Sequence, residues 1–146
     1  MNKRFSFKEA DPGIYKALTA MESYVASVKE VSPLHKEMIR IRASQINGCS
    51  YCIAEHTADA RKLGETEQRI YLLSVWREVP QFTEEEKIIL ALVDEVTLIH
   101  REGLTDATYE KALAAFGAPK TAAIVMMVIT INAWNRIGIS GRKVPE

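Results

Sequence analysis

Four residues of this sequence have the types and the spacing to do chemistry together: Glu37, Cys49, Cys52 and His56. All four lie in the stretch EMIRIRASQINGCSYCIAEH, residues 37–56. Cysteine reacts as the thiolate, and a helix N-terminus favours that form because its partial positive charge stabilises negative charge. Two thiols in a Cys-x-x-Cys pair on the first turn of a helix can reach disulfide geometry, so one can attack and the other resolve the product. His56 follows Cys52 by four positions and Cys49 by seven, which places all three on one face of a helix. An imidazole there can take the thiol proton and return it to a leaving group, and Glu37 on the preceding helix can orient that imidazole. Nucleophile, resolver, base and orienter are then all present. Nearness to the helix start, with a greater expected exposure, favours Cys49 as the reactive thiolate.

The same four side chains would also make a complete zinc ligand set, and two inert core cysteines would satisfy the spacing as well. Structural zinc mostly staples chains that cannot build a core. This one has 146 residues, 47% of them hydrophobic. A domain of that size buries roughly 68–70% of its unfolded surface without a staple. The only two cysteines sit three positions apart, which in a reducing compartment suits a catalytic pair better than a structural bridge. The favoured reading is therefore a dithiol redox centre with no metal and no bound cofactor.

Helix punctuation positions these residues within one expected domain, 1–146. Asp11-Pro12 opens a helix carrying Ile14, Leu18, Met21 and Val25 at helical spacing. Ser32-Pro33 opens a second, with Leu34, Met38, Ile41 and Ile46 inward, and Asn47-Gly48 stops it. A third starts between Cys49 and Tyr51 and ends at Gly64. Thr66 caps a fourth with Ile70, Leu73 and Trp76, closed by Pro80. Thr83 to Glu86 reads as a capping box for a fifth, which carries Ile88, Leu92, Val96 and Ile99 and ends near Gly103. Thr105 caps a sixth that stops at Gly117, and Pro119 opens a seventh. That last helix is apolar almost all round from Ala122 to Ile131, so it is expected in the core or in a subunit interface. No segment alternates with a period of two, and the fold class is all-α, a helical bundle of six or seven helices.

Lys and Arg balance Asp and Glu at 19 each, which gives no electrostatic reason to expect a nucleic acid or an acidic membrane as partner. Lys3 and Arg4 are not followed by the apolar run of a signal peptide. The run from Ala122 to Ile129 is far shorter than the roughly 20 residues a bilayer requires. A soluble, cytoplasmic protein is expected.

The pattern Glu-x11-Cys-x2-Cys-x3-His resembles the signature of the alkylhydroperoxidase AhpD-like family, within the carboxymuconolactone decarboxylase superfamily. Glu37, Cys49, Cys52 and His56 fall on its positions without insertion. The similarity extends from about Asp11 through the Asn-Ala-Trp-Asn-Arg run at 132–136. The resemblance implies an all-helical subunit that assembles into homo-oligomers, often trimers or hexamers. It implies reduction of hydrogen peroxide or organic hydroperoxides through a thiol–disulfide cycle. In that cycle Cys52 attacks, Cys49 resolves, and His56 and Glu37 relay protons. A thiol reductant, lipoyl or thioredoxin-like, would restore the pair. The resemblance gives the attack to Cys52, whereas the helix-end argument gives it to Cys49.

One position departs from the family pattern. Tyr51 stands where the best-known peroxidases of the family have a relay histidine, and a free tyrosine, with a pKa near 10, is a poor proton carrier at neutral pH. Low peroxide turnover follows as one expectation, with thiol–disulfide exchange on a protein or lipoyl partner as the alternative. A non-catalytic zinc- or ligand-binding module is a third reading. Decarboxylation is not expected, because the decarboxylase branch lacks the cysteine pair. Trp76 and Trp134 read as core or interface anchors, and Met126 and Met127 as core filler. Asn132, Asn135 and Arg136 read as the end of the last helix, bridging subunits or lining the site entrance. His35 reads as surface or as support for the site, and His100 as structural.

Overall fold

The computed structural model describes residues 4–145, so Lys3 lies outside the described residues. The chain order is α1 (Phe7–Ala10), α2 (Pro12–Ser27), α3 (Pro33–Asn47), α4 (Ser50–Lys62), α5 (Glu67–Leu72), a 3-10 segment (Leu73–Glu78), α6 (Glu84–Thr97) and α7 (Asp106–Ser140). Among the described residues there is no strand, so the fold is all-α.

Each start is set by the side chain before it. Asp11 accepts from the Gly13 N–H at 2.8 Å, Ser32 from His35 at 3.1 Å and Thr66 from Arg69 at 3.2 Å. Pro follows the cap in α2 and α3, where its missing N–H costs nothing. Thr83 and Glu86 form the expected reciprocal capping box on α6.

The packing centre is α3, which lies against α4, α6 and α7, while α2 covers part of α7. Ile39 and Ile41 of α3, Ile89, Leu90, Leu92 and Val93 of α6, and Ile124 and Val128 of α7 are all essentially inaccessible to solvent. Burying one such side chain contributes about 1.5–3 kcal/mol. This core holds α3 rigid, and α3 carries Glu37.

Several elements differ from the sequence reading, each for a local reason. α1 was not anticipated; it is a single turn capped by Ser6. Only Val25 of α2 is buried, and Ile14 is exposed, because this helix touches the core with its C-terminal half alone. The expected fourth helix stops at Leu72 and tightens into the 3-10 segment, where Val75 leaves helical geometry. α6 ends at Thr97, so the chain turns before Ile99, which is exposed. Its deepest residues are Ile89, Leu90 and Val93, with Leu92, rather than Ile88 and Val96.

The sixth and seventh helices run as one element, broken at Gly117 (φ 72°, ψ 167°) just before Pro119. The left-handed φ at Gly117 and the lost N–H of proline make the break that the sequence marks there. The element continues past Asn132–Arg136 to Ser140. By length and composition α7 could cross a membrane, but its inner face packs among the core residues of α3 and α6.

Glu86 shows how the fold handles a buried carboxylate. It accepts from Arg69 Nη2 at 2.6 Å and from the Thr83 N–H at 2.7 Å, with His35 Nε2 at 3.7 Å. Burial alone pushes the carboxyl up, but the Arg69 guanidinium and the Thr83 N–H outweigh it and hold it below its ordinary value. A carboxyl depressed in the folded state contributes stability that is complete above its unfolded value. That contribution is lost as pH falls through the lower, folded value. Glu86→Gln is expected to destabilise the protein by about 1–3 kcal/mol at neutral pH. In urea unfolding followed from neutral to acidic pH, the difference from the parent should shrink below the carboxylate range. A difference constant across that range would contradict this assignment.

Candidate active site

The turn between α3 and α4 sets the cysteines. Gly48 ends α3 in the left-handed region (φ 72°), and the Cys49 N–H returns to the Ser44 carbonyl at 3.0 Å. Asn47 pins this turn to α7 by donating both amide hydrogens, one to Asn132 Oδ1 and one to Asn135 Oδ1, each at 2.9 Å. Asn135, fully buried, donates to Ser44 Oγ at 2.9 Å. Asn132 and Asn135 therefore join helices within the chain, and Arg136 bonds back to Asn132.

Cys49 caps α4, and its sulfur accepts the Cys52 N–H at 3.4 Å. The two cysteines are joined as a disulfide, with Cα atoms 5.4 Å apart. Cys49 is 1% exposed and Cys52 5%, and of the two only Cys52 lines a cavity. The expectation that Cys49 is the more exposed thiol is thus reversed: Cys49 has the helix end, whereas Cys52 has the access.

Gly138 was not singled out in the sequence. It is buried in α7, and a Cβ there would meet Cys49 Sγ at 3.3 Å and Cys52 Sγ at 3.8 Å. The α7 backbone thus backs the disulfide directly. The available signal was a glycine inside an apolar helix, where glycine costs about 1 kcal/mol relative to alanine and calls for a packing reason.

His56 Nδ1 lies 2.8 Å from Glu37 Oε2. Glu37 is buried, and its other oxygen accepts from Arg40 Nη1 at 2.5 Å. Arg40 also donates to Glu22 of α2, and Glu22 accepts the Trp134 indole N–H at 3.2 Å. Arg40 and Glu22 were not read from the sequence as part of the site. On a helix the i,i+3 spacing from Glu37 to Arg40 was a signal, but one with many surface equivalents. With Nδ1 engaged by a carboxylate, Nε2 is the ring nitrogen left to exchange a proton.

Cys52, His56, Glu22 and Arg40 open on one cavity of about 590 Å³. Phe5, Phe7, Tyr15 and Trp134 give it aromatic walls, and the Tyr15 and Trp134 rings meet edge-to-face at 5.4 Å. Tyr51 also lines it, with the Lys143 ammonium 3.5 Å from its ring centre. Glu37, His56 and Asp59 bring donor atoms within 4.8 Å of one another. Arg40 and Lys62 already neutralise the two carboxylates, so the set is an ion-pair network in which Glu37 and Asp59 have protein cations as partners. With both sulfurs in a disulfide, the thiolate ligand set considered for zinc is absent from this form.

The remaining candidates, Trp134 apart, lie elsewhere. His35 faces Glu86, and His100 is exposed beyond α6. Trp76 is buried and donates to Asp94 at 3.2 Å, whereas Trp134 packs against the core and also forms a cavity wall. Met127 is core, and Met126 is half-buried.

Residues 12–95 match the model of the carboxymuconolactone decarboxylase family. The chain is 39% identical over 140 residues to the uncharacterized protein YdfG of Bacillus subtilis, covering 96% of this chain and 95% of that one. Among solved structures it matches a protein of unknown function from Agrobacterium tumefaciens, suggested to be the antioxidant defence protein AhpD. The TM-score there is 0.94 and the identity 38%, over 99% of each chain. An uncharacterized peroxidase-related protein from Silicibacter matches with a TM-score of 0.79 and 25% identity, over 93% of this chain and 72% of that one. A family model across most of α2 to α6, a relative along nearly the full length and a shared fold agree: this chain is an AhpD-like member of the carboxymuconolactone decarboxylase family.

Proposed function

We propose that this protein is a dithiol peroxidase that reduces hydrogen peroxide or organic hydroperoxides through Cys52 and Cys49. The observation that carries this reading is the placement of a redox-closed cysteine pair beside a carboxylate-held histidine, with one sulfur open to a cavity.

In the reduced protein His56 takes the Cys52 proton, and the thiolate attacks one oxygen of the peroxide bond. The O–O bond breaks, Cys52 becomes a sulfenic acid, and the leaving alkoxide takes the proton from the imidazolium. The Cys49 thiol then loses its proton and attacks the Cys52 sulfur, and the hydroxide expelled takes that proton and leaves as water. Two thiols and one hydroperoxide yield one disulfide, one alcohol and one water. A thiol reductant reverses the pair by attacking Cys52, the accessible sulfur. Cys49 then departs as a thiolate, stabilised by the Cys52 N–H and the start of α4.

Thiol–disulfide exchange without efficient peroxide turnover is the second reading. Tyr51 favours it, because it occupies the relay position and carries Lys143 on its ring. Both readings use the same pair. Ile129 and Ile139 leave apolar surface on α7, which suits the homo-oligomer implied by the resemblance.

The test is cysteine replacement. Cys49→Ser should accumulate one trappable sulfenic acid at Cys52 on peroxide treatment, and Cys52→Ser should accumulate none. Sulfenic acid on Cys49 alone would reverse the roles, and none in either variant would remove the peroxidase reading.

Gly138 makes a second test. Gly138→Ala brings a methyl group to 3.3 Å from Cys49 Sγ and into ordinary contact with Cys52 Sγ, and overpacking of this kind costs about 1–3 kcal/mol. The penalty, read from urea unfolding, should be larger in the oxidised protein than in the reduced one, where the thiols can rotate away. Equal penalties in the two forms would contradict the contact.

A further inference from the structure

We propose that Arg40 and Glu22 are positioning residues for this reaction, acting through Glu37 to set the charge and orientation of His56. The proposal rests on the peroxidase reading above for the step it serves, but its geometry is independent of that reading.

Arg40 is largely buried, with 15% of its side chain exposed, and it divides its guanidinium between two carboxylates on different helices. One nitrogen reaches Glu37 and the other Glu22. A guanidinium stays charged and presents its donors in a fixed plane, so holding Arg40 at Glu22 also fixes where it holds Glu37. Glu22 is itself fixed from α7 by the Trp134 N–H, and the Trp134 ring rests on Tyr15. A continuous chain thus runs Trp134, Glu22, Arg40, Glu37, His56, linking α7, α2, α3 and α4.

Its charges alternate. Glu22, Arg40 and Glu37 together carry one net negative charge, and an imidazolium at His56 makes the set neutral. That is the state His56 enters on taking the Cys52 proton. The network therefore compensates the charge that forms when the thiolate forms.

The sign of each member's effect follows. Without Arg40, the Glu37 carboxylate against His56 and the Glu22 carboxylate behind it lose the cation between them, and the imidazole holds its proton to higher pH. Without the Glu22 charge the same group releases its proton at lower pH. The other charged and titratable groups around the cavity are Cys52, Tyr51, Glu55 and Asp59 of α4, Tyr15 of α2, Lys8 and Glu9 of α1, and Lys143 of the tail. Lys62 pairs with Asp59. All of them are unchanged by these substitutions.

The experiment compares the reduced parent with Arg40→Gln, Glu22→Gln and Arg40→Lys, each checked for a cooperative melt. The His56 ring is titrated by NMR, and the pH–rate profile of thiol oxidation by hydrogen peroxide is recorded alongside. Arg40→Gln should move the His56 midpoint up by about one pH unit, and Glu22→Gln should move it down by a smaller step. Arg40→Lys, which keeps the charge but not the fork, should hold the midpoint near the parent's while lowering the rate. Midpoints that stay put, or that move in the same direction in both glutamine variants, would overturn the proposal. Opposite NMR shifts with thiols inert to peroxide would support the positioning role and end the peroxidase reading.

Discussion

A carboxylate taken out of water is costly unless its charge and its lone pairs are met. Glu37 is such a group, buried on α3, with one oxygen on Arg40 and the other on His56. The arrangement around His56 follows from satisfying it. Arg40 supplies the charge and must itself be held, which brings in Glu22 and Trp134. His56 supplies the second donor, so its Nδ1 points into the protein and its Nε2 is the nitrogen left for proton exchange. The core of α3, α6 and α7 keeps Glu37 from escaping to solvent, so packing far from the cysteines fixes the orientation of the His56 ring.

The cysteine pair depends on a different device, the short turn from α3 to α4. A left-handed glycine closes α3, three hydrogen bonds among amide and hydroxyl side chains tie the turn to α7, and Cys49 becomes the cap of the next helix. The same segment of α7 offers Gly138, whose missing side chain leaves room for the bridged sulfurs. The asymmetry between the cysteines comes from this placement. Cys49 sits where a thiolate is stabilised and Cys52 where a reagent can arrive, a division suited to a leaving group and a point of attack.

Much of this was legible in the sequence, because helix boundaries are written in local chemistry. Ser32-Pro33, Asn47-Gly48 and the Thr83–Glu86 box each specify their ends through contacts within three or four residues. Glu37, Cys49, Cys52 and His56 were legible because fixed spacing on two adjacent helices brings them together. Arg40 was hidden, since one arginine near a glutamate reads as surface until Glu22, 18 residues earlier, arrives from α2. Gly138 and Trp134 were hidden for the same reason: their roles exist only once α7 lies across the turn. The greater access of Cys52 also depends on tertiary structure, because the cavity is bounded by α1, α2 and the C-terminal end of α7 as well as α4.

Peroxidase function requires that this pair deliver two electrons to a peroxide bond. The most direct measurement is stopped-flow mixing of the fully reduced, metal-free protein with limiting cumene hydroperoxide, with thiols and alcohol product counted at the end. The account expects two thiols lost for each alcohol formed, and their full return with a dithiol reductant. Thiols that remain intact, even when the hydroperoxide is then raised to excess, would contradict it and leave disulfide exchange as the better description of the site.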